Sequence, residues 1–281
     1  NYKDFSLIHI FNSDYVLDKN SLNNLPIGLY GEFYNHHLTF FLTKNNEIKN
    51  LKRIFSNSHL QIEKITLKPF VIGIQKVIEE KNNNDPLLFI YIFNDRVLIS
   101  IFFKSSLIYC KEYKFGSNII KKDISKVCSL DLESVDKILK DINFDKVEKK
   151  DNTILDKKYF EKKSLRRISI YHIKEIIMAR LNEIFDIILN KNIDLNFIKN
   201  KKKMFYIKLE DIESLTNLKE TIIKGLVKDN HYEIKKMTSD DYYEPCLSSA
   251  EILSKGWEKE AIPITNQKKS IISKIFSTLF K

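Results

Sequence analysis

Catalysis needs nucleophiles, acids, bases or metal ligands at a workable spacing, and this chain offers few such groupings. Cys110, Cys128 and Cys246 are far apart, with neither a C-x-x-C pair nor a companion His-x-x-x-His. That spacing predicts no structural zinc and fits a reduced, cytoplasmic compartment. His36 and His37 are adjacent, so on a strand they face opposite sides and cannot chelate one metal together. The acid pairs Glu79-Glu80 and Asp240-Asp241 sit in polar stretches, where a solvated surface is the expected setting rather than acid–base chemistry. No G-x-S-x-G, P-loop or H-E-x-x-H occurs. The expectation is a protein that is not an enzyme.

The chemistry that does stand out is physical. In KKSIISKIFSTLFK (268–281), Ile271, Ile272, Ile275, Phe276, Leu279 and Phe280 fall on one half of a helix drawn at 100° per residue. Lys274, Lys281 and the serines take the other half, and Lys268 and Lys269 lead in. Large apolar residues opposed by lysines suit a helix lying in a bilayer interface; a last core helix docked on the body is the alternative. Spanning would need about 20 apolar residues. The polar, proline-containing AIPITNQ (261–267) before it reads as a linker.

At 281 residues, 43% hydrophobic and 30% charged, the chain is a globular protein of one or two domains. The net charge of +10 invites a nucleic-acid reading. Yet the only arginines are Arg53, Arg96, Arg166, Arg167 and Arg180, and the lysines are spread apart from KNKKK (199–203). Nucleic-acid binders use Arg forks and clustered patches; an A/T-rich coding sequence imposes this Lys, Asn and Ile bias on any protein. No export signal opens the chain, which starts at Asn rather than Met, so a preceding segment is expected.

Strand-like alternation marks 5–18, a Pro/Gly turn 23–31, a second strand 36–45, a helix 46–59 and a strand in QIEKITLKPF (61–70). Residues 70–81 read as a helix, and LLFIYIF (87–93) and RVLISIFF (96–103) as a hairpin turned at Asn94 and Asp95. A third strand follows in SLIYCKEYKFG, then helices at 117–128, 131–141 and 169–190, a strand at 204–209, and helices at 211–226 and 244–260. Blocks of strands and helices in this order predict a layered α/β protein.

With these elements in order, NLPIGLYGE, HLTFFLTKNNEIKNLKRIFSNSHLQIEKITLKPF, the run from ISIFF to KKDIS with its helix-starting Gly116, IKEIIMARLNEIFDIIL and the terminal amphipathic segment follow one another colinearly. In these pieces the chain resembles the bacterial cell-division protein family FtsA, actin-like proteins with a small inserted subdomain. The likeness implies an actin-like (ribonuclease H-like) α/β fold: an inserted α/β subdomain at 1–70, a second actin-like half at 71–260 with a helical subdomain at about 117–203, the linker and the terminal helix. It implies MgATP as cofactor, but the family's D-I-G-G-G-T-x-D turn aligns with 91–98, where Tyr91, Phe93, Asn94 and Asp95 stand without a glycine. Its L-T-G-G motif aligns with Phe205, Tyr206, Ile207 and Lys208. Only Gly lets backbone amides close on a phosphate, so nucleotide binding is expected to be lost. By the same resemblance, the A-R-x-x-E helix receives the C-terminal peptide of FtsZ, which assigns Arg180, Glu183 and Lys174 to that contact, with an i, i+3 surface ion pair as the bland alternative. The implied partners are FtsZ, membrane lipids, later division proteins and further copies in filaments, at the cytoplasmic face of the inner membrane. An actin-like ATPase or sugar-kinase relative and a basic nucleic-acid binder remain the alternatives.

Overall fold

The computed structural model describes residues 3–80, 85–150, 153–160, 166–198, 201–210, 222, 231–236 and 240–261. The chain forms two compact units, the first running to Leu67 and resuming at Ile252, the second comprising Lys68–Glu251. Residues 211–221, 223–230 and 262–281 lie outside the described residues, and with them nearly all of the expected helix over 211–226, most of the linker and the terminal helix.

In the first unit, β1 (Phe5–Leu17), β2 (Asn20–Leu22) and β3 (Tyr34–Lys44) make an antiparallel sheet in the order β2-β1-β3, followed by α1 (Asn45–Ser56). The β1–β2 turn is built at Asp18 and Lys19, both at positive φ (48° and 70°), the backbone twist that tight hairpins need. Asp18 Oδ1 accepts the N–H groups of Glu32 and Phe33 and so pins the returning chain. Phe11 and Tyr15 supply the buried side of β1.

The strand expected at 61–70 is not formed: 61–67 has no regular structure, and Lys68 opens α2 (Lys68–Glu79). The edge of β1 not used by β3 is already taken. Glu260 bridges Phe11, Asn12 N–H donates to the Lys259 carbonyl, and Ala261 N–H to that of Ile10. Leu67 N–H goes to the His9 imidazole. Pro69, which has no N–H to give a ladder, sits in the first turn of α2, where that donor has no helical partner anyway.

The second unit holds a five-stranded mixed sheet in the order β6-β5-β4-β7-β8. β4 (Leu87–Ile92), β5 (Val97–Phe103) and β6 (Ser106–Tyr113) form an antiparallel meander, and β7 (Met204–Leu209) and β8 (His231–Lys236) add parallel to β4. Every residue of β4 is buried, as expected of a central strand covered on both faces. On one face Leu88, Ile90, Ile92, Val97, Ile99 and Ile101 join the apolar stripes of α3 (Asn118–Cys128), α4 (Leu132–Asp141) and α5 (Ile170–Phe185) in one core. On the other, Phe70 and Gly73 of α2 meet the Phe102 ring. This three-layer arrangement is the actin-like α/β class that the sequence implies.

Local chemistry sets the helix ends. Asp131 caps α4 by accepting the Ser134 N–H at 2.8 Å, and α3 stops at Ser129 in the left-handed region. α5 passes into a π-helical turn at Asp186–Asn190. The last described helix, α6 (Asp240–Lys255), differs from the expected 244–260: it starts four residues earlier, keeps Pro245 inside, and stops before Gly256, whose φ of 75° ends it. Trp257–Glu260 therefore lies beyond the helix.

Candidate functional site

The two segments aligned with nucleotide motifs become neighbours because β4 and β7 pair in register, Tyr91 with Lys208 and Ile92 with Leu209. The turn after β4 is closed by the chain's own groups. Phe93 N–H donates to the Arg96 carbonyl at 2.9 Å, while the carbonyls of Phe93 and Asn94 accept the N–H groups of Ser117 and Asn118 at 2.9 and 3.0 Å. Asn94 N–H donates to Glu210 Oε2 at 3.1 Å, and Ser117 Oγ donates to Asn94 Oδ1. Gly116 allows this closeness: a Cβ there would lie 2.2 Å from the Phe93 carbonyl oxygen and 2.6 Å from Arg96 N. Lys68 Nζ at 5.3 Å and the Arg96 guanidinium at 5.1 Å both lie over the Phe93 ring, each contact contributing about 0.5–1 kcal/mol at such a site.

The other aligned positions are structural too. Tyr91 is buried and its hydroxyl donates to the Ile72 carbonyl; Ile207 is buried and Lys208 pairs with Glu244 at 3.8 Å. Asp95 is exposed. Beside them, Lys76, Tyr206, Lys208, Glu233 and Glu244 line a cleft of about 120 Å³, below the range of about 300–1,000 Å³ usual for ligand pockets. Lys76 fills part of it, with its ammonium 5.1 Å from the Tyr206 ring centroid and paired with Glu79 and Glu233. Burial first, then the Glu80 carboxylate, pushes the Tyr206 phenol above its ordinary range.

The α5 positions separate. Arg180 Nε donates to Asp123 of α3 and its Nη1 to Glu183 at 2.6 Å, so the i, i+3 pair extends into a bridge between two helices. Lys174 instead donates to the Val147 carbonyl at 2.7 Å. Ile173, Ile177, Leu181, Ile184 and Phe185 face the core, each burial contributing about 1.5–3 kcal/mol. The membrane-binding candidates, Lys268 to Lys281, lie outside the described residues.

Sequence reading missed two clusters. Glu210, the residue after β7, gives no signal that its carboxylate will reach a turn 116 residues earlier. In the first unit, buried His9 pairs its Nδ1 with Glu260 Oε1 at 2.6 Å and takes the Leu67 N–H on Nε2 at 3.2 Å. Burial alone would raise Glu260, but His9 and Lys64 outweigh it and hold the carboxyl below its ordinary value. Burial pushes the Cys110 thiol up to about 11, which removes it as a thiolate nucleophile. Among the described residues no group of three or more His, Cys, Asp or Glu could hold a metal, and no helix is long and apolar enough to cross a membrane.

The strand order is that of a layered, ribonuclease H-like α/β sheet, the fold class that actin-like proteins share. No family model matches the chain, and no curated protein matches it in sequence. Among solved structures, the chain is similar to the PilM-PilN type IV pilus biogenesis complex at 8% identity, covering 88% of this chain and 65% of that one, with a TM-score of 0.49. It is similar to MreB 5 of Spiroplasma citri bound to AMPPNP at 13% identity, covering 84% and 68%, TM-score 0.49. An archaeal actin homolog, Ta0583, is 6% identical over 68% of this chain and 56% of that one, TM-score 0.37. The chain thus spans less than two thirds of the first and the last of these proteins.

Proposed function

We propose that this chain is an FtsA-like adaptor that works without nucleotide: its helical subdomain takes the C-terminal peptide of FtsZ, and its terminal segment holds the complex to the cytoplasmic face of the bacterial inner membrane at the division site. The observation that carries this reading is the closed turn at 93–96. The amide of Asn94, at a position where the family offers backbone donors to phosphate, is spent on Glu210, and Gly116 brings backbone against backbone where a phosphate would need space. A glutamate in that position also repels an anion. A scaffold role follows more naturally than ATP chemistry, and recruitment of later division proteins and assembly with further copies belong to the same reading.

Thermal unfolding with and without millimolar MgATP tests the first half. A ligand at 100 times its dissociation constant stabilises by about 2.7 kcal/mol; the expected result is an unchanged melting temperature, and a rise of that size contradicts the reading.

The second half is tested at Arg180. Arg180→Glu places a third carboxylate beside Asp123 and Glu183 and is expected to cost roughly 1–2 kcal/mol of stability, leaving the protein folded and lowering affinity for an FtsZ tail peptide at least about tenfold, which corresponds to ~1.4 kcal/mol. Asp123→Asn breaks the same helix–helix bridge but keeps the guanidinium, and is expected to preserve peptide binding. Equal losses in both variants would reduce Arg180 to a strut.

A further inference from the structure

The first unit carries a groove of about 850 Å³ walled by the start of β1, α1, residues 62–65 and the stretch from Ile252 to Ala261. Its apolar lining includes Leu7, Ile48, Ile62, Ile65, Leu253 and Trp257. None of these is buried, and Leu253 is 55% exposed. α1 alongside is strongly amphipathic by sequence yet buries no residue. A helix of that kind owes most of its stability to an apolar face packed on something, so this wall of the groove is built to receive a further element.

We infer that the groove is a resting seat for this chain's own segment 268–281, which would then exchange between the groove and the bilayer. The inference rests on the membrane-adaptor reading above and adds its regulation. Two observations name the occupant. The described chain arrives at the groove, since Ala261 is one of its lining residues, and the six residues 262–267 reach up to roughly 20 Å when extended, enough to lay the following helix back along it. The segment itself carries one apolar stripe, Ile271, Ile272, Ile275, Phe276, Leu279 and Phe280, the i, i+4 pattern of a helix laid into an apolar groove. A tether this short makes docking intramolecular at an effective concentration on the order of millimolar, so even a weak contact is occupied until a competing surface takes the same apolar face. Bilayer and groove cannot hold that face together; membrane binding therefore opens the groove.

Trp257 is the chain's single tryptophan and reports on its own groove. In the full chain its emission is expected to be blue-shifted and shielded from iodide. Deleting 268–281 should shift it red and open it to the quencher, a synthetic peptide of 268–281 should restore the shift with saturation, and the same peptide with Phe276→Glu should not. Vesicles of phosphatidylglycerol and phosphatidylethanolamine should red-shift the full chain and leave the deleted one unchanged. Leu253→Glu, an exposed substitution that adds a negative charge, is expected to strengthen vesicle co-sedimentation several-fold, because it weakens the competing seat. Vesicle binding with a Trp257 emission indifferent to the deletion, or Leu253→Glu binding no tighter than the unmodified chain, overturns the seat and leaves the membrane reading standing. An emission that depends on protein concentration assigns the groove to another copy's segment and overturns the intramolecular seat. A deletion-dependent shift without vesicle binding by any variant overturns the membrane reading and keeps the seat.

Discussion

Gly116→Ala is expected to destabilise the second unit by about 3 kcal/mol or more, with a fall in melting temperature of roughly 6–12 °C. Adding a Cβ elsewhere often helps, because it narrows the unfolded ensemble by about 0.4–1 kcal/mol. Here the new carbon meets the Phe93 carbonyl at 2.2 Å, Arg96 N at 2.6 Å and Asn94 C at 2.7 Å. All three are backbone atoms, so no side chain can swing away, and the turn itself must move. Moving it strains the bonds from Ser117 and Asn118 to Phe93 and Asn94, and that from Asn94 to Glu210, each worth about 1 kcal/mol. Gly28→Ala is the matched control: its φ is 80° and nothing lies within 4 Å of the added carbon, so the loss should be only about 1 kcal/mol. Chemical denaturation of the three proteins checks the order. A loss below about 1 kcal/mol at Gly116 would mean the turn is not closed as described.

The second large effect is at the membrane. Phe276→Glu is expected to lower affinity for anionic vesicles about 100-fold or more, since it removes an apolar side chain worth roughly 1.5–3 kcal/mol of burial and sets a negative charge near an anionic surface at about 1 kcal/mol. Its melting temperature should change little, by the equivalent of about 1 kcal/mol at most, because a groove contact that yields to a bilayer is necessarily weak. A core helix would behave the other way: the same charge buried against apolar neighbours costs several kcal/mol. Vesicle binding of the unmodified chain should also weaken in high salt. Intact vesicle binding with a large loss of thermal stability would identify a docked core helix instead.

Where side-chain pattern and burial coincide, the sequence was readable. The apolar runs of β4 and β5, broken only by Ser100, read as the two strands of a hairpin, and the spacing of Val135, Ile138 and Leu139 or of Ile173, Ile177 and Leu181 marks helices packed by one face. Turn chemistry was less legible. The Asn94-Asp95 pair marks a hairpin, but the left-handed turns fall at Asp18-Lys19 and at Lys104-Ser105, where lysine and serine carry no preference for positive φ. The β-branched and apolar residues Ile62, Ile65, Thr66 and Leu67 imitate a strand whose place was taken by residues about 200 positions later. The candidate site divides in the same way. Missing glycines at 91–98 are visible in the sequence, whereas the filling of that space by Glu210 and the tie from Arg180 to Asp123 depend on contacts between distant segments.

One measurement meets the central claim directly: co-sedimentation of a labelled FtsZ C-terminal peptide with phosphatidylglycerol-containing vesicles, in buffer without nucleotide. The peptide alone should stay in solution. With the full chain it should sediment, and it should do so equally with or without MgATP; deletion of 268–281 or Arg180→Glu should each return it to the supernatant. A peptide that remains soluble with the full chain bound to vesicles, or that sediments only when MgATP is added, would contradict a nucleotide-independent membrane adaptor.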